Sequence, residues 1–211
     1  MEALIFGQAG FLEETINDSY YLLLKREYTL LQKKYSLAER QMRKAQWRFL
    51  RLRPANFPTI RLAQLASVLF HQKNLFSRTI ATGSWKELMP AFSVKPSAYW
   101  LYHYQFFKKQ KKEIPSLGRM SIENIVINSI VPMLVAYGKA KDDQRHVDRA
   151  LQLLHETPSE KNNILRSWDS LGLKSRTAFD SQALIELHNS FCLRRRCLDC
   201  NIGFSLLQPV H

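Results

Sequence analysis

Residues 48–66, RFLRLRPANFPTIRLAQLA, contain the helix boundary around which the rest of the chain is organised. Pro54 ends the helical pattern before it, because proline disfavours the α region for the preceding residue. Asn56 can then cap a new helix with Pro58 in its first turn, where a missing N–H costs nothing. The spacing of apolar residues predicts that this helix runs from about Phe57 to His71. Its predicted buried face consists of Leu62, Leu65, Ala66, Leu69 and Phe70.

Four arginines surround this helix start. Arg61 lies in the first turn, where the helix dipole repels a cation by about 0.3–1 kcal/mol and the free N–H groups attract anions. Arg48, Arg51 and Arg53 lie on the segment before it, which we predict to be helical from Trp47. The four arginines predict a site that holds a phosphate or another anion. The alternative is that they pair with buried carboxylates and lock two helices together, a frequent structural use of arginine.

Helical periodicity recurs along the chain, and the alternation with period two that is typical of strands is absent. We therefore expect an all-α fold, a single globular multi-helix domain of irregular connectivity over residues 1–211, because no low-complexity linker marks an internal boundary. The patterns predict helices at about residues 3–13, 17–34, 57–71, 85–89, 98–107, 121–137, 145–155 and 161–171, and a last one from residue 180 or 181.

Several of these helices carry specific expectations. Gly7 and Gly10 indicate close packing of the first helix, whose apolar face would lie exposed if it normally packs on another half of the protein. The apolar helix at 121–137 is expected to be the buried central helix, kinked at Pro132 and ended by Gly138. The motif Thr157-Pro-Ser-Glu160 reads as a capping box.

The segment 98–107 is rich in aromatic residues and precedes the basic run Lys108-Lys-Gln-Lys-Lys112. Aromatic side chains beside lysines are able to stack on bases while the lysines bind phosphates. The alternative is a core helix followed by a solvated basic loop, and this alternative is the one that we favour.

Charge separates this chain from an ordinary globular protein. It has 31 Lys+Arg against 18 Asp+Glu, a net charge of +13. Such an excess favours nucleic acid, an anionic surface or an acidic partner. The first residues resemble no secretory signal, and no stretch reaches the roughly 20 apolar residues of a membrane span, so we expect no membrane partner. Three clustered cysteines form no disulfide framework and fit a reducing, cytoplasmic setting.

The cysteines and one histidine form a box at residues 188–203. Cys192, Cys197 and Cys200 follow His188, which stands four residues before Cys192, on the same side of a helix. The four side chains would complete a tetrahedral zinc site, whereas the cysteine spacing alone also matches the first part of a plant-type iron–sulfur pattern. The third interpretation is three reduced cysteines packed as small apolar residues. Cys192 with His188 as nucleophile and base is a weaker alternative, because neighbouring cysteines favour metal binding.

Six strings resemble one bacterial family of domains of unknown function. They are RLRPANFPTIRLAQLA (51–66), LFS (75–77), YWLYHYQF (99–106), INSIVPMLVAYG (127–138), DSQALIELHNSFC (180–192) and CLDCNIG (197–203). Members of that family are usually about twice this long, and their first half resembles restriction-endonuclease-like nucleases, with a Gly-Pro-Asp-Phe and a later Glu-Ile-His string. Neither string occurs here, so the resemblance implies a carboxyl-terminal half without the nuclease carboxylates.

Catalytic motifs are missing from the sequence. It has no Gly-rich phosphate loop, no HExxH and no GxSxG, and its carboxylates form no plausible catalytic pair. We therefore expect no enzyme activity from this chain alone, and we interpret it as a non-catalytic nucleic-acid-binding or nuclease-accessory domain. The alternative is a protein-interaction module, or an inactive enzyme fragment that completes a separate nuclease-like partner chain. An exposed apolar patch at residues 3–12 would favour that alternative.

Overall fold

The first helix lies in the centre of a core that is rich in aromatic residues. The computed structural model describes residues 1–207, and helix α1 spans Glu2–Gln8. Ala3 and Phe6 are fully buried, so the expectation of an exposed first helix was wrong. Gly10 follows with φ +74, a conformation that glycine adopts without strain, and it ends the helical stretch before residue 13. Close packing is confirmed, since a methyl group at Gly7 would lie 2.1 Å from the Tyr28 ring.

The prediction of an all-α fold is confirmed: within residues 1–207 the structure has α-helices, short 3₁₀ and π turns and no strands. The other α-helices are α2 (Ser19–Lys34), α3 (Pro58–His71), α4 (Leu75–Ala81), α5 (Trp85–Phe92), α6 (Arg119–Ile125), α7 (Val131–Lys141), α8 (Gln144–Glu156), α9 (Asn163–Ser170), α10 (Ala178–Leu187) and α11 (Asn201–Leu207).

The chain divides into two compact units. Unit 1 consists of Met1–Arg78 and Leu88–Arg119, and unit 2 of Thr79–Glu87 and the described residues from Met120 onward. The division lies within α4, within α5 and after the first residue of α6, so all three helices continue across it. That the chain unfolds as a single domain stays a prediction.

The core of unit 1 is built by α1, α2, the start of α3 and an aromatic segment. Phe6 stacks on Trp100 with ring centroids 4.8 Å apart. Phe106 packs edge-to-face on both rings. The predicted helix at 98–107 was wrong, because this segment is a series of turns. Consecutive turns let several large rings reach one core. A helix would instead distribute these rings around its circumference.

Unit 2 is organised by α7, α8 and α10. Helix α8 packs on α7 and on α10, which also contacts α9. Two indole groups fix the ends of these helices: Trp85 Nε1 donates to the Glu156 carbonyl at 3.0 Å, and Trp168 Nε1 donates to the Leu184 carbonyl at 3.1 Å. Leu134 and Leu153 are fully buried.

Two predicted helix ends in unit 2 were wrong. Gly138 does not end α7, which continues to Lys141, with Asp142 in the left-handed region. Gly138 is instead the point of close approach to α8, since an added methyl would lie 3.1 Å from the Val147 side chain. The predicted capping box at 157–160 opens no helix, because the buried Thr157 hydroxyl donates back to the Leu153 carbonyl at 2.7 Å. Asn162 caps α9.

Helices α6 and α7 form one helix of 23 residues, Arg119–Lys141, with a π turn at Val126–Ile130. The π turn lies directly before Pro132 and accommodates the missing N–H that we expected to produce a kink. By length and composition this helix is apolar enough to cross a membrane, contrary to our reading of the sequence. Only 33% of its most apolar window is buried, so it is not buried on all sides as expected. A buried core helix meets the same criterion, so this criterion alone assigns no membrane location.

Candidate functional site

Residues 47–53, which we call the arginine arm, do not form the helix that was predicted. Trp47 is extended, and residues 50–51 form a turn in which Leu52 N donates to the Phe49 carbonyl at 3.3 Å. Trp47 and Phe49 point inward: Trp47 Nε1 donates to the Ala9 carbonyl at 2.8 Å, and Phe49 packs on Phe57 with ring centroids 5.3 Å apart. Arg48, between them, is exposed. This alternation is the period of an extended chain. Anchoring two large rings outweighed the local helical pattern.

The arginines of the arm have no acidic partner among the residues that the structure describes. Arg48, Arg51 and Arg53 are exposed, and no carboxylate within residues 1–207 forms an ion pair with any of the three. Arg51 has φ +63, a conformation that is uncommon for a residue with a side chain. The alternative that these three arginines lock the fold through buried carboxylates was therefore wrong.

Arg61 differs from the three arginines of the arm. It is half-buried in the first turn of α3, and its guanidinium donates to Asn56 Oδ1 at 2.7 Å and to Gln64 Oε1 at 3.0 Å. Burial lowers the pKa of Arg61 below its usual value, because the charged form loses hydration. The Asn56 side chain thus accepts a hydrogen bond from Arg61 and does not cap the helix. Phe57 occupies the N-cap position. The helix itself, predicted from about Phe57 to His71, is confirmed.

The buried face of α3 also differs from the prediction. Leu65, Leu69 and Phe70 are exposed. Ala66 is buried as predicted, and the inner face otherwise consists of Ile60 and of smaller or polar side chains, namely Thr59, Ala63, Gln64, Ser67 and Val68. Small residues let the helix approach its neighbours closely, and a burial pattern read from hydrophobicity alone does not detect this preference.

The positive charge of the protein is concentrated in unit 1. Unit 1 contains 19 lysines and arginines against 7 aspartates and glutamates, a net charge of +12, whereas the remainder contains 12 against 11, a net charge of +1. Residues 40–86 contain no aspartate or glutamate at all. The arginine arm therefore lies within a long stretch of sequence that cannot neutralise it locally.

A second basic feature of unit 1 is the lysine loop, residues 102–112. An isolated antiparallel bridge between His103 and Lys109 closes it, and Gln110 N donates to the Tyr102 carbonyl at 2.7 Å. The four lysines of the run are exposed, as the solvated-loop interpretation predicted. Thr59, in the first turn of α3, donates its hydroxyl proton to the Tyr104 carbonyl. This contact, which the sequence did not reveal, places the start of α3 beside the segment that carries the loop.

One cavity of unit 1 contains a serine and a histidine. It has a volume of about 480 Å³ and includes Glu2, Ser67 and His71 in its lining. Ser67 Oγ donates to the Lys95 carbonyl at 2.6 Å, and His71 Nδ1 lies 2.8 Å from the Ser67 carbonyl and 3.3 Å from Ser67 Oγ. The serine proton is directed to the Lys95 carbonyl and not to His71, so the pair does not have the arrangement of a nucleophile and its base.

The predicted metal ligands do not converge in the structure. Among the described residues, no group of three or more His, Cys, Asp or Glu side chains is arranged to hold a metal ion. Cys192 and Cys197 are exposed and Cys200 is partly exposed, so the three are not packed as core residues either. His188–Cys192 is a π turn, in which the backbone bond joins residue i to i+5 and not i+4. Residues i and i+4 of such a turn still lie on the same side of the helix, and the Cys3His site stays a prediction.

Comparisons with known proteins give one match. No curated protein and no solved structure matches the chain. A family model described as "Protein of unknown function (DUF2851)" matches residues 1–163, which include all of unit 1 and its arginine arm and exclude the cysteine box. The match covers well over half of the sequence, and the protein therefore belongs to this DUF2851 family of proteins of unknown function.

Proposed function

We propose that the protein is a non-catalytic nucleic-acid-binding domain whose phosphate contacts lie in unit 1. The observation that carries this proposal is the arginine arm, with three exposed guanidinium groups that have no carboxylate partner among the described residues. Arginine binds phosphate through planar, bidentate hydrogen bonds, and its weak hydration makes such contacts favourable. Most affinity for nucleic acid comes from these backbone contacts.

The arm is also well ordered for this purpose. Trp47 and Phe49 anchor it on the core by a hydrogen bond and ring contacts, so Arg48 projects from a fixed backbone. A fixed backbone lowers the entropy that each arginine loses when it binds. The net charge of +12 on unit 1 adds long-range attraction for a polyanion.

The test measures binding of fluorescent single-stranded and duplex oligonucleotides against salt concentration. In the triple variant R48Q/R51Q/R53Q, we expect weaker binding to every sequence and a slope of log K against log salt that is smaller by about 2–3, because each lost phosphate contact removes about 0.7–0.9. Surface substitutions of this kind change the unfolding free energy by less than about 0.5 kcal/mol. A triple variant that no longer unfolds cooperatively would show that the arginines have a structural role.

A matched control removes three exposed charges from unit 2 in the variant K141Q/K174Q/R194Q. The net charge falls equally, so the two triple variants separate a defined site from general electrostatic attraction. Equal losses of affinity in both would contradict the proposal that the arm is the site.

A second candidate function follows from the family resemblance and from helix α2. We infer that the chain completes a separate nuclease-like half, as an accessory domain or as the inactive fragment of such an enzyme. The apolar surface for this contact cannot be residues 3–12, which are buried; Leu23 and Leu30 on α2, 62% and 66% exposed, are the better candidates. Size-exclusion chromatography of this chain mixed with the nuclease-like half of a longer family member tests the pairing. L23E/L30E should abolish it, whereas L171E, an exposed leucine of unit 2, should not.

A further inference from the structure

The lysine loop contains an open cavity of about 480 Å³ lined by Tyr102, Lys109, Gln110 and Lys111. Its volume lies within the range of small-molecule sites, about 300–1,000 Å³. These side chains are of the kinds that bind a nucleotide. The aromatic ring offers a face for the base, the two ammonium groups offer charge for the phosphate, and the amide offers a donor and an acceptor for a base edge.

The loop that forms this cavity is held firmly. Gln110 N donates to the Tyr102 carbonyl at 2.7 Å, and Ile114 N donates to the Leu101 carbonyl at 2.7 Å. His103 stacks on Tyr99 with ring centroids 3.9 Å apart. The tyrosine and the lysines therefore lie on a backbone that is fixed before any ligand binds.

A second exposed ring, that of Phe107, lies beside the lysines. The backbone of this residue has an unfavourable conformation. Phe107 has φ +67 and is 44% exposed, and its N–H donates to the Tyr99 hydroxyl at 3.1 Å. A bulky residue in the left-handed region costs free energy, and such residues concentrate at binding sites. The Phe107 ring packs partly against Tyr21 and Phe106, with centroids 5.9 and 6.1 Å away, and its remaining exposed surface lies next to Lys108 in the sequence.

We propose that Tyr102 is a base-stacking site and that the preferred ligand of unit 1 is single-stranded nucleic acid. This inference rests on the proposed function and names its ligand class. Bases in a duplex are stacked on one another and do not offer their faces, whereas those of a single strand stack on an exposed aromatic ring. Lys109 and Lys111 bind the phosphates on either side of the stacked base. The hydrogen bond from Thr59 to Tyr104 places the start of α3 next to this segment, so one strand is able to contact both basic features.

The experiment compares Y102L with Y102F on three ligands of equal length: a single-stranded oligonucleotide, its duplex, and an abasic single strand. We expect Y102L to weaken binding of the normal single strand by about fivefold to 150-fold, which is the range for losing one base stack. Binding of the duplex and of the abasic strand should change less than about twofold. Y102F keeps the ring and should keep the affinity. Y35L removes another exposed tyrosine of unit 1 and serves as the control.

The outcomes separate the two proposals. If Y102L binds the normal single strand as wild type does, while R48Q/R51Q/R53Q binds it more weakly, the stacking site is wrong and the phosphate-binding function stands. If wild type binds no nucleic acid, both are wrong. If polyglutamate competes as effectively as the single strand, the loop recognises an acidic chain and the inference is overturned.

Discussion

Glycine 7 shows how one residue sets the packing of the unit 1 core. The Tyr28 ring lies where a side chain at this position would be, 2.1 Å from an added methyl carbon. The Tyr28 hydroxyl accepts from Gln8 Nε2 at 2.8 Å, so the ring is held at both its face and its end. The ring cannot move aside without breaking this contact.

We therefore expect Gly7→Ala to lower the free energy of unfolding by about 1–3 kcal/mol through overpacking. Gly118→Ala is the control, because an added methyl there meets nothing within 4 Å and the φ angle is not in the left-handed region. Urea unfolding followed by fluorescence measures both. Equal stabilities of the two variants would contradict the contact with Tyr28.

Asp143 gives a prediction about pH. Hydrogen bonds from the Arg145 side chain hold the pKa of Asp143 at about 2, below the usual 3.8. A lowered pKa stabilises the fold fully above the unfolded value and loses that effect as pH falls toward the folded value. The difference in unfolding free energy between wild type and D143N should thus be constant above about pH 5 and shrink between about pH 4 and pH 2. NMR titration should show the Asp143 midpoint rising in R145Q.

The cysteine box gives a prediction about metal. If His188, Cys192, Cys197 and Cys200 bind zinc or an iron–sulfur cluster, the box must rearrange from the geometry seen here. Elemental analysis and an absorption spectrum of protein prepared without air should then show zinc or iron, which C197S/C200S should lose. Metal-free wild type whose exposed thiols react quickly with a disulfide reagent would contradict the metal hypothesis.

At the scale of elements, the sequence contains more capping motifs than helix starts, and a motif caps a helix only where the backbone N–H groups of a first turn lack partners. Thr177 caps α10 and forms a capping box with Asp180 that we had not predicted, whereas the box predicted at residues 157–160 opens no helix. The Thr177 hydroxyl accepts from Asp180 N at 3.2 Å, and Asp180 Oδ2 accepts from Thr177 N at 3.0 Å. Residues 157–160 and 177–180 both have the sequence of a capping box, but only the second is followed directly by a helix whose first N–H groups need acceptors.

We expect Thr177→Ala to lower the unfolding free energy by about 0.5–2 kcal/mol, because an N-cap bond is lost. Thr177→Ser keeps the hydroxyl and should cost far less. Thermal unfolding of the two variants, with fraying of α10 followed by hydrogen exchange, measures the effect. A serine variant as unstable as the alanine variant would indicate that the threonine methyl group, and not the cap, is what matters.

At the scale of the whole molecule, the two units differ in charge but share three helices. Helices α4, α5 and α6 continue across the division, so unfolding of either unit would truncate them. Loss of hydrogen bonds at a truncated helix end is unfavourable, which couples the two units through the chain itself. The predicted single domain therefore corresponds to a single cooperative transition.

The test uses variants that keep one tryptophan as a reporter, Trp47 in unit 1 or Trp168 in unit 2, with the others changed to phenylalanine. We expect both reporters to give the same urea midpoint. Trp85 and Trp100 are almost fully buried, so changing them to phenylalanine lowers the unfolding free energy. A variant that keeps these two and lacks Trp47 and Trp168 controls for this loss of stability. Two distinct midpoints would establish two domains and contradict the prediction.

The sequence by itself determined the helical class, the positions of most helices and the excess of positive charge. Local rules suffice for these properties: α8 was predicted within one residue at each end, and Gly172 ends the helical stretch with φ +86, as a C-terminal glycine does. The candidate arginines and lysines of unit 1 were also visible as local runs. Each of these features depends on neighbours within a few residues along the chain.

Only the tertiary structure decided which faces are buried and what the arginine arm is. Residues 47–53 have a helical pattern, yet the hydrogen bond from Trp47 to Ala9 and the packing of Phe49 on Phe11 hold the segment in a non-helical conformation with a turn at residues 50–51. These partners lie 38 residues away along the chain, so no local pattern contains them. For the same reason the sequence could not show that no carboxylate of the described residues pairs with the arginines of the arm, or that Thr59 bonds to Tyr104. Both depend on long-range packing, whose free energy outweighs local propensity.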